Sequence, residues 1–66
     1  MTLNGIKVKD LRKARGLSQL DLACEIDCSR EIIVKIETNS RKETGLCIAY
    51  KLATFFNVSI ESLILK

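Results

Sequence analysis

Arg30, Glu31, Val34 and Lys35 fall on one face of a potential helix, with Ile33 and Ile36 on the other. A guanidinium, a carboxylate and an ammonium on one exposed ridge suit the reading of base edges. Arginine donates to guanine O6 and N7, and glutamate accepts from cytosine N4. Ordinary solvated charge is the alternative, and Glu31 and Lys35 also stand at the i, i+4 spacing of a helical ion pair. Other chemistry lacks residues to carry it. The chain has no histidine, so the commonest general base and metal ligand is missing. Cys24, Cys28 and Cys47 do not have the spacing of a zinc site. Their odd number fits thiols used as small core residues in a reducing compartment. A thiol-based redox sensor is a lesser alternative. The residues point to no enzyme class, no cofactor, no metal and no small-molecule ligand.

The ridge needs a body to hold it. At 66 residues and net charge 11 − 8 = +3, one domain, 1–66, is expected, with a core of about a dozen side chains. Charge is unevenly spread. Residues 1–42 carry nine Lys/Arg against six Asp/Glu, and 43–66 carry two against two. A basic part and a neutral apolar part suit a chain that meets an anion at one end and apolar surface at the other. The N-terminus shows no charged-then-apolar leader, and no apolar run approaches the roughly 18 residues of a membrane span. A soluble cytoplasmic chain is therefore expected.

Punctuation in the sequence predicts five short helices and no sheet. The first covers 7–15, with Arg12, Lys13 and Arg15 in its last turn and Gly16 as a left-handed cap. Ser18, with Asp21 three residues on, opens a second helix over 19–26 as a capping box. Asp27, Cys28 and Ser29 interrupt it, and Ser29 caps a third helix over 30–38. Thr38, Asn39, Ser40, Arg41, Lys42 and Glu43 form a polar basic loop. Thr44 caps a fourth helix to Phe56, ended by Asn57, and Ser59 caps a last one over 60–65. The second and third helices form a unit over about 19–37. Two helices joined by a three-residue turn at about 90–120° nearly touch. Ala23 supplies the small residue at that contact, Ile33 and Ile36 face back, and Cys28 fills the turn. The outer face of the third helix is then free to enter a DNA major groove, about 12 Å wide.

The stretch Leu-Arg-Lys-Ala-Arg-Gly-Leu-Ser-Gln-Leu-Asp-Leu-Ala (Leu11 to Ala23) resembles the helix-turn-helix domains of phage Cro and cI repressors, the XRE-type regulators. So do Ser-Arg-Glu-Ile-Ile-Val-Lys-Ile-Glu from Ser29 and the ending Asn-Val-Ser-Ile-Glu-Ser-Leu from Asn57. The resemblance spans about residues 6–65 and implies a compact all-α five-helix bundle of the lambda repressor-like kind. It implies a transcriptional regulator, more often a repressor, that binds double-stranded DNA. Base reading falls to Ser29, Arg30, Glu31, Val34 and Lys35, with Ser29 alternatively a cap or a phosphate contact. Phosphate contact falls to Gln19, Thr38, Asn39, Ser40, Arg41 and Lys42. Arg12 and Glu37 match a family pair that joins the first helix to the end of the third. An antitoxin or anti-regulator acting mainly through protein contacts is the rival reading. Two departures stand out. Asp27 occupies the turn position where the family usually has glycine. Leu20, Ile32, Ile48 and Phe55 are apolar where polar, charged or small residues are usual.

The fourth helix is apolar at nine of thirteen positions between Thr44 and Phe56. A helix apolar nearly all round is buried on two sides. Leu46, Ala49, Ala53 and Phe56 form one stripe, expected to face the core. Ile48, Leu52 and Phe55 form a second, expected with Ile60 and Ile64 to make a homodimer interface. The alternative is that the last helix folds back over the second stripe and leaves a monomer.

Overall fold

The computed structural model describes residues 2–38 and 45–64. Five helices follow in order: α1 Gly5–Ala14, α2 Gln19–Glu25, α3 Arg30–Glu37, α4 Leu46–Phe56 and α5 Ile60–Leu63. The core joins all five: Val8, Leu22, Ala23, Ile33, Ile36, Ala49, Leu52, Ala53, Phe56 and Leu63 are buried together, with Leu3 and Ile26. The expected all-α bundle is the observed one. None of the described helices is long and apolar enough to cross a membrane.

Local chemistry explains most boundaries. α1 begins two residues earlier than the sequence pattern suggests, because Asn4 caps it: its side-chain oxygen accepts from the Lys7 N–H at 3.3 Å. α2 opens on a reciprocal box. Ser18 Oγ accepts from the Asp21 N–H and Asp21 Oδ2 accepts from the Ser18 N–H, each at 3.0 Å. The Ser18 backbone and side-chain hydrogen bonds hold the Asp21 carboxyl below its ordinary pKa. Ser59 Oγ caps α5 by accepting from the Ser62 N–H. Gly45 stands at the start of α4, and Thr44, the expected cap, lies outside the described residues, as do Leu65 and Lys66.

Three helices end by one device. After α1, the Gly16 N–H donates to Lys13 O and the Leu17 N–H to Arg12 O. After α2, Asp27 donates to Cys24 O and Cys28 to Ala23 O; after α4, Asn57 donates to Thr54 O and Val58 to Ala53 O. Each is a Schellman pair, which needs a left-handed residue at its centre. Those residues are Gly16 (φ 69°), Asp27 (φ 55°) and Asn57 (φ 56°). Asparagine and aspartate enter this region more readily than other L-residues, though less freely than glycine. No hydrogen bond among the described residues engages the Asp27 carboxylate. Asp27→Gly should therefore relieve strain that exceeds glycine's added unfolded-state entropy, a gain of about 0.5 kcal/mol. A urea melt measures it, and clear destabilisation would show that the carboxylate supports the turn.

Contacts distant in sequence correct several expectations. The core stripe of α4 is Ala49, Leu52, Ala53 and Phe56, the i, i+3, i+4, i+7 pattern of one buried face. Leu52 is 0% exposed inside the chain's own core, so it is withdrawn from the expected dimer interface. Leu46 lies a turn before the stripe and is 62% exposed rather than buried. Ile48, Phe55 and Ile60 are half-buried against the same core, and so are Leu11, Ile32 and Val58. Leu20 is exposed. The thiols of Cys24 and Cys47 lie at the surface instead of serving as core residues, whereas Cys28 is half-buried against the core. Beyond the helices, Leu3 pairs with Ile64 in an isolated antiparallel bridge, and the Asn4 N–H donates to Leu63 O at 2.7 Å. This tie between the two ends buries Leu3 and Leu63.

Candidate nucleic-acid interface

The outer face of α3 is set by its inner one. Ile33 and Ile36 are buried, and α2, whose Leu22 and Ala23 are buried, packs chiefly against α3. Ala23 is 1% exposed, and its single methyl suits a close approach of two helices. With that side occupied, Arg30, Glu31 and Lys35 project into solvent, and Val34 is half-buried beside them. Ser29 stands at the N-cap without a side-chain cap bond, and it is exposed. The spacing of Glu31 and Lys35 invites an ion pair, but among the described residues the ion pair formed is Arg12–Glu37.

Arg12 and Glu37 hold the far end of α3. Glu37 is the last residue of α3, where a carboxylate opposes the negative end of the helix dipole. Arg12 answers it with a two-pronged contact, Nε to Oε2 at 2.7 Å and Nη2 to Oε1 at 3.0 Å. Arg12 Nη1 also donates to Leu17 O at 2.7 Å, in the turn between α1 and α2. Gln19 Nε2 donates to Glu37 Oε1 at 3.1 Å. One guanidinium thus joins the end of α1, the following turn and the end of α3, while Gln19 adds the start of α2. The two charged side chains are 9% and 3% exposed. The hydrogen bond to Glu37 raises the Arg12 pKa, against the opposing effect of burial. Arginine's planar fork suits this bidentate geometry better than lysine's point charge.

The remaining expected DNA contacts divide by position. Gln19 is half-buried at the N-terminus of α2 with one amide hydrogen on Glu37. Thr38 caps the end of α3, and its hydroxyl donates to Val34 O at 2.9 Å. Asn39, Ser40, Arg41 and Lys42 lie outside the described residues. Among the described residues, no group of His, Cys, Asp and Glu is placed to hold a metal ion. A cation–π contact escaped the sequence reading. The Arg15 guanidinium lies 5.0 Å from the Phe55 ring centroid and 5.3 Å from that of Phe56. No local signal marks it, since it joins the end of α1 to the end of α4.

A short helix packed against its predecessor on one face and exposed on the other, with its end locked by a buried ion pair, is a helix-turn-helix arrangement. The profile of the family described as a helix-turn-helix domain matches residues 5–66. The chain belongs to the XRE-type helix-turn-helix family. Members of the XRE-type family are DNA-binding transcription regulators without enzymatic activity, and so is this chain. An uncharacterized regulator of this type from Methanocaldococcus jannaschii is 39% identical over 57 residues, which are 86% of this chain and 85% of the relative. Among solved structures, the restriction-modification controller protein C.AhdI from Aeromonas hydrophila matches with a TM-score of 0.80 and 32% identity, over 91% of this chain and 89% of that one. SinR of Bacillus subtilis, solved as a SinR protein/SinI protein complex, matches with a TM-score of 0.85 and 25% identity. That match covers 91% of this XRE-type chain but only 58% of the other.

Proposed function

We propose that this regulator is a cytoplasmic repressor that binds a pseudo-palindromic operator as a homodimer. The observation that carries the reading is the outer face of α3. Arg30, Glu31 and Lys35 are exposed with no ion pair among the described residues, on a helix anchored at its end by Arg12 and Glu37. Ser29, Arg30, Glu31, Val34 and Lys35 read base edges. Gln19, Thr38, Asn39, Ser40, Arg41 and Lys42 meet phosphates, which position the protein and supply most of its salt-dependent affinity. The likeness to a restriction-modification controller protein supports a regulatory role.

The homodimer interface, with Leu52 removed, consists of Ile48, Phe55, Ile60 and Ile64, all half-buried. A two-fold axis there would set two α3 helices about 34–36 Å apart on successive turns of DNA. Sedimentation at tens of micromolar should show the dimer, and a monomer at that concentration would remove the symmetric operator from the reading.

Selection of bound sequences from a random DNA pool, followed by titration at two salt concentrations, tests the whole reading. A single enriched motif with two related halves is the expected result. Lys42→Ala should weaken selected and random DNA alike and lower the salt slope by about one unit. No enriched motif would favour the rival, an anti-regulator working through protein contacts. Ile6, Leu20, Leu46 and Tyr50 are the exposed large apolar side chains such contacts would use. Co-purification of one unrelated protein in stoichiometric amount would identify it.

A further inference from the structure

Two opposite charges flank the half-buried apolar face of α4 and α5. Successive helical residues are turned by about 100°, so around α5 Ile60 and Ile64 lie between Leu63 and Glu61. Exposure follows that order: Leu63 is buried, Ile60 and Ile64 are half-buried, and Glu61 is exposed. Glu61 thus stands on the outer rim of the face. At α4, the Arg15 guanidinium lies 5.0 Å from the Phe55 ring centroid and 5.3 Å from that of Phe56, and the two rings meet edge to face. The ring quadrupoles hold this cation without consuming its N–H donors. Among the described residues the Arg15 side chain makes no hydrogen bond or ion pair, and neither does the Glu61 carboxylate. Lys51, the other cation near Phe55, lines a groove with Glu25 and Asp27, so it has acidic neighbours within its own chain.

We infer that Arg15 and Glu61 pair between two copies of this chain, each copy's Arg15 meeting the other's Glu61 across the two-fold axis. This rests on the homodimer reading of Ile48, Phe55, Ile60 and Ile64, and it adds what selects the partner and fixes the register. An isologous interface must be complementary to itself, because both copies present the same patch. Four apolar side chains meet that condition in many registers and with many other apolar surfaces. One cation and one anion on different elements of the patch favour the register that sets each against its opposite, and they disfavour any that sets like on like. Arginine suits the task, since its planar face can rest on Phe55 while its edge donates to a carboxylate. Neither residue belongs to the set assigned to DNA, so self-association and operator contact draw on different side chains.

The test is a charge exchange read by sedimentation equilibrium of the whole chain without DNA. Arg15→Glu and Glu61→Arg each turn both contacts of the dimer from attraction to repulsion, and each should weaken self-association about tenfold or more. Mixed in equal amounts, the two variants should associate with each other at least about tenfold more tightly than either does alone, because both contacts of the mixed dimer again join a cation to a carboxylate. Mixing changes nothing within either chain, so the recovery cannot come from the stacking on Phe55 or from altered folding. Arg15→Gln and Glu61→Gln give a second reading that adds no repulsion and does not depend on Arg15→Glu folding. Each should weaken association about threefold, and the double variant no further than either alone. Single variants that associate like the wild type, a mixture no tighter than its parts, or additive losses in the glutamine cycle would overturn the pairing. A wild type that dimerises while the mixture does not removes this inference alone. A monomeric wild type removes the homodimer reading and this pairing with it.

Discussion

Arg12→Ala is expected to unfold much of the protein at room temperature. It would leave the Glu37 carboxylate, with its 3% exposed side chain, buried without its cation and at the unfavourable end of a helix dipole. It would also remove the donor on Leu17 O. Breaking a buried ion pair from one side costs about 3–5 kcal/mol. The whole stability of 66 folded residues is on the order of 3–10 kcal/mol, from roughly 0.05–0.15 kcal/mol per residue. Arg12→Lys should fall between, because an ammonium cannot reproduce two parallel bonds to Glu37 together with the bond to Leu17 O. The paired change Arg12→Met with Glu37→Leu should recover most of the loss, since apolar groups of similar volume often replace a buried pair at little cost. Thermal melts followed by circular dichroism would settle the order. A wild-type melt for Arg12→Ala would show that the pair carries no stability and that α3 is held by its apolar face alone.

Arg30→Ala should leave the fold intact and weaken binding to the selected operator by about 1–3 kcal/mol, roughly five- to 150-fold. Arg30 is the first residue of α3, exposed and outside the core, so its removal creates no cavity. The N-terminal residues of a recognition helix are those that reach base edges. The loss should therefore be confined to one base position, whose preference relaxes, while affinity for random DNA falls only by the share of a lost charge. Titration of the variant against the operator and its single-base substitutions measures both. Unchanged specificity would move Arg30 from the base-reading set to the phosphate contacts.

The short-range features of this chain were legible in its residues. Gly16, the Ser18–Asp21 box and Ser59 mark ends and starts because capping bonds join residues three or four apart. A pattern that close in sequence has few ways to be satisfied. The exposure of Arg30, Glu31 and Lys35 followed in the same way, once Ile33 and Ile36 were recognised as the inward face. Asn4 was equally local and was missed, since no apolar periodicity precedes it.

Tertiary structure decided what periodicity left degenerate. In α4 nearly every position is apolar, so more than one stripe meets the helical repeat. Burial selects Ala49, Leu52, Ala53 and Phe56 because the rest of the core lies on that side. Leu52 thereby becomes core and Leu46 surface. The bridge from Leu3 to Ile64 joins opposite ends of the sequence, where no local rule applies. Glu37 was the sharpest case. Its place at the end of a helix is locally unfavourable, and Arg12, 25 residues earlier, makes it favourable with help from Gln19. Resemblance to a family suggested that pairing, but the physical reason for it exists only when α1 and α3 are packed, because burial is what turns two distant charges into one bond network.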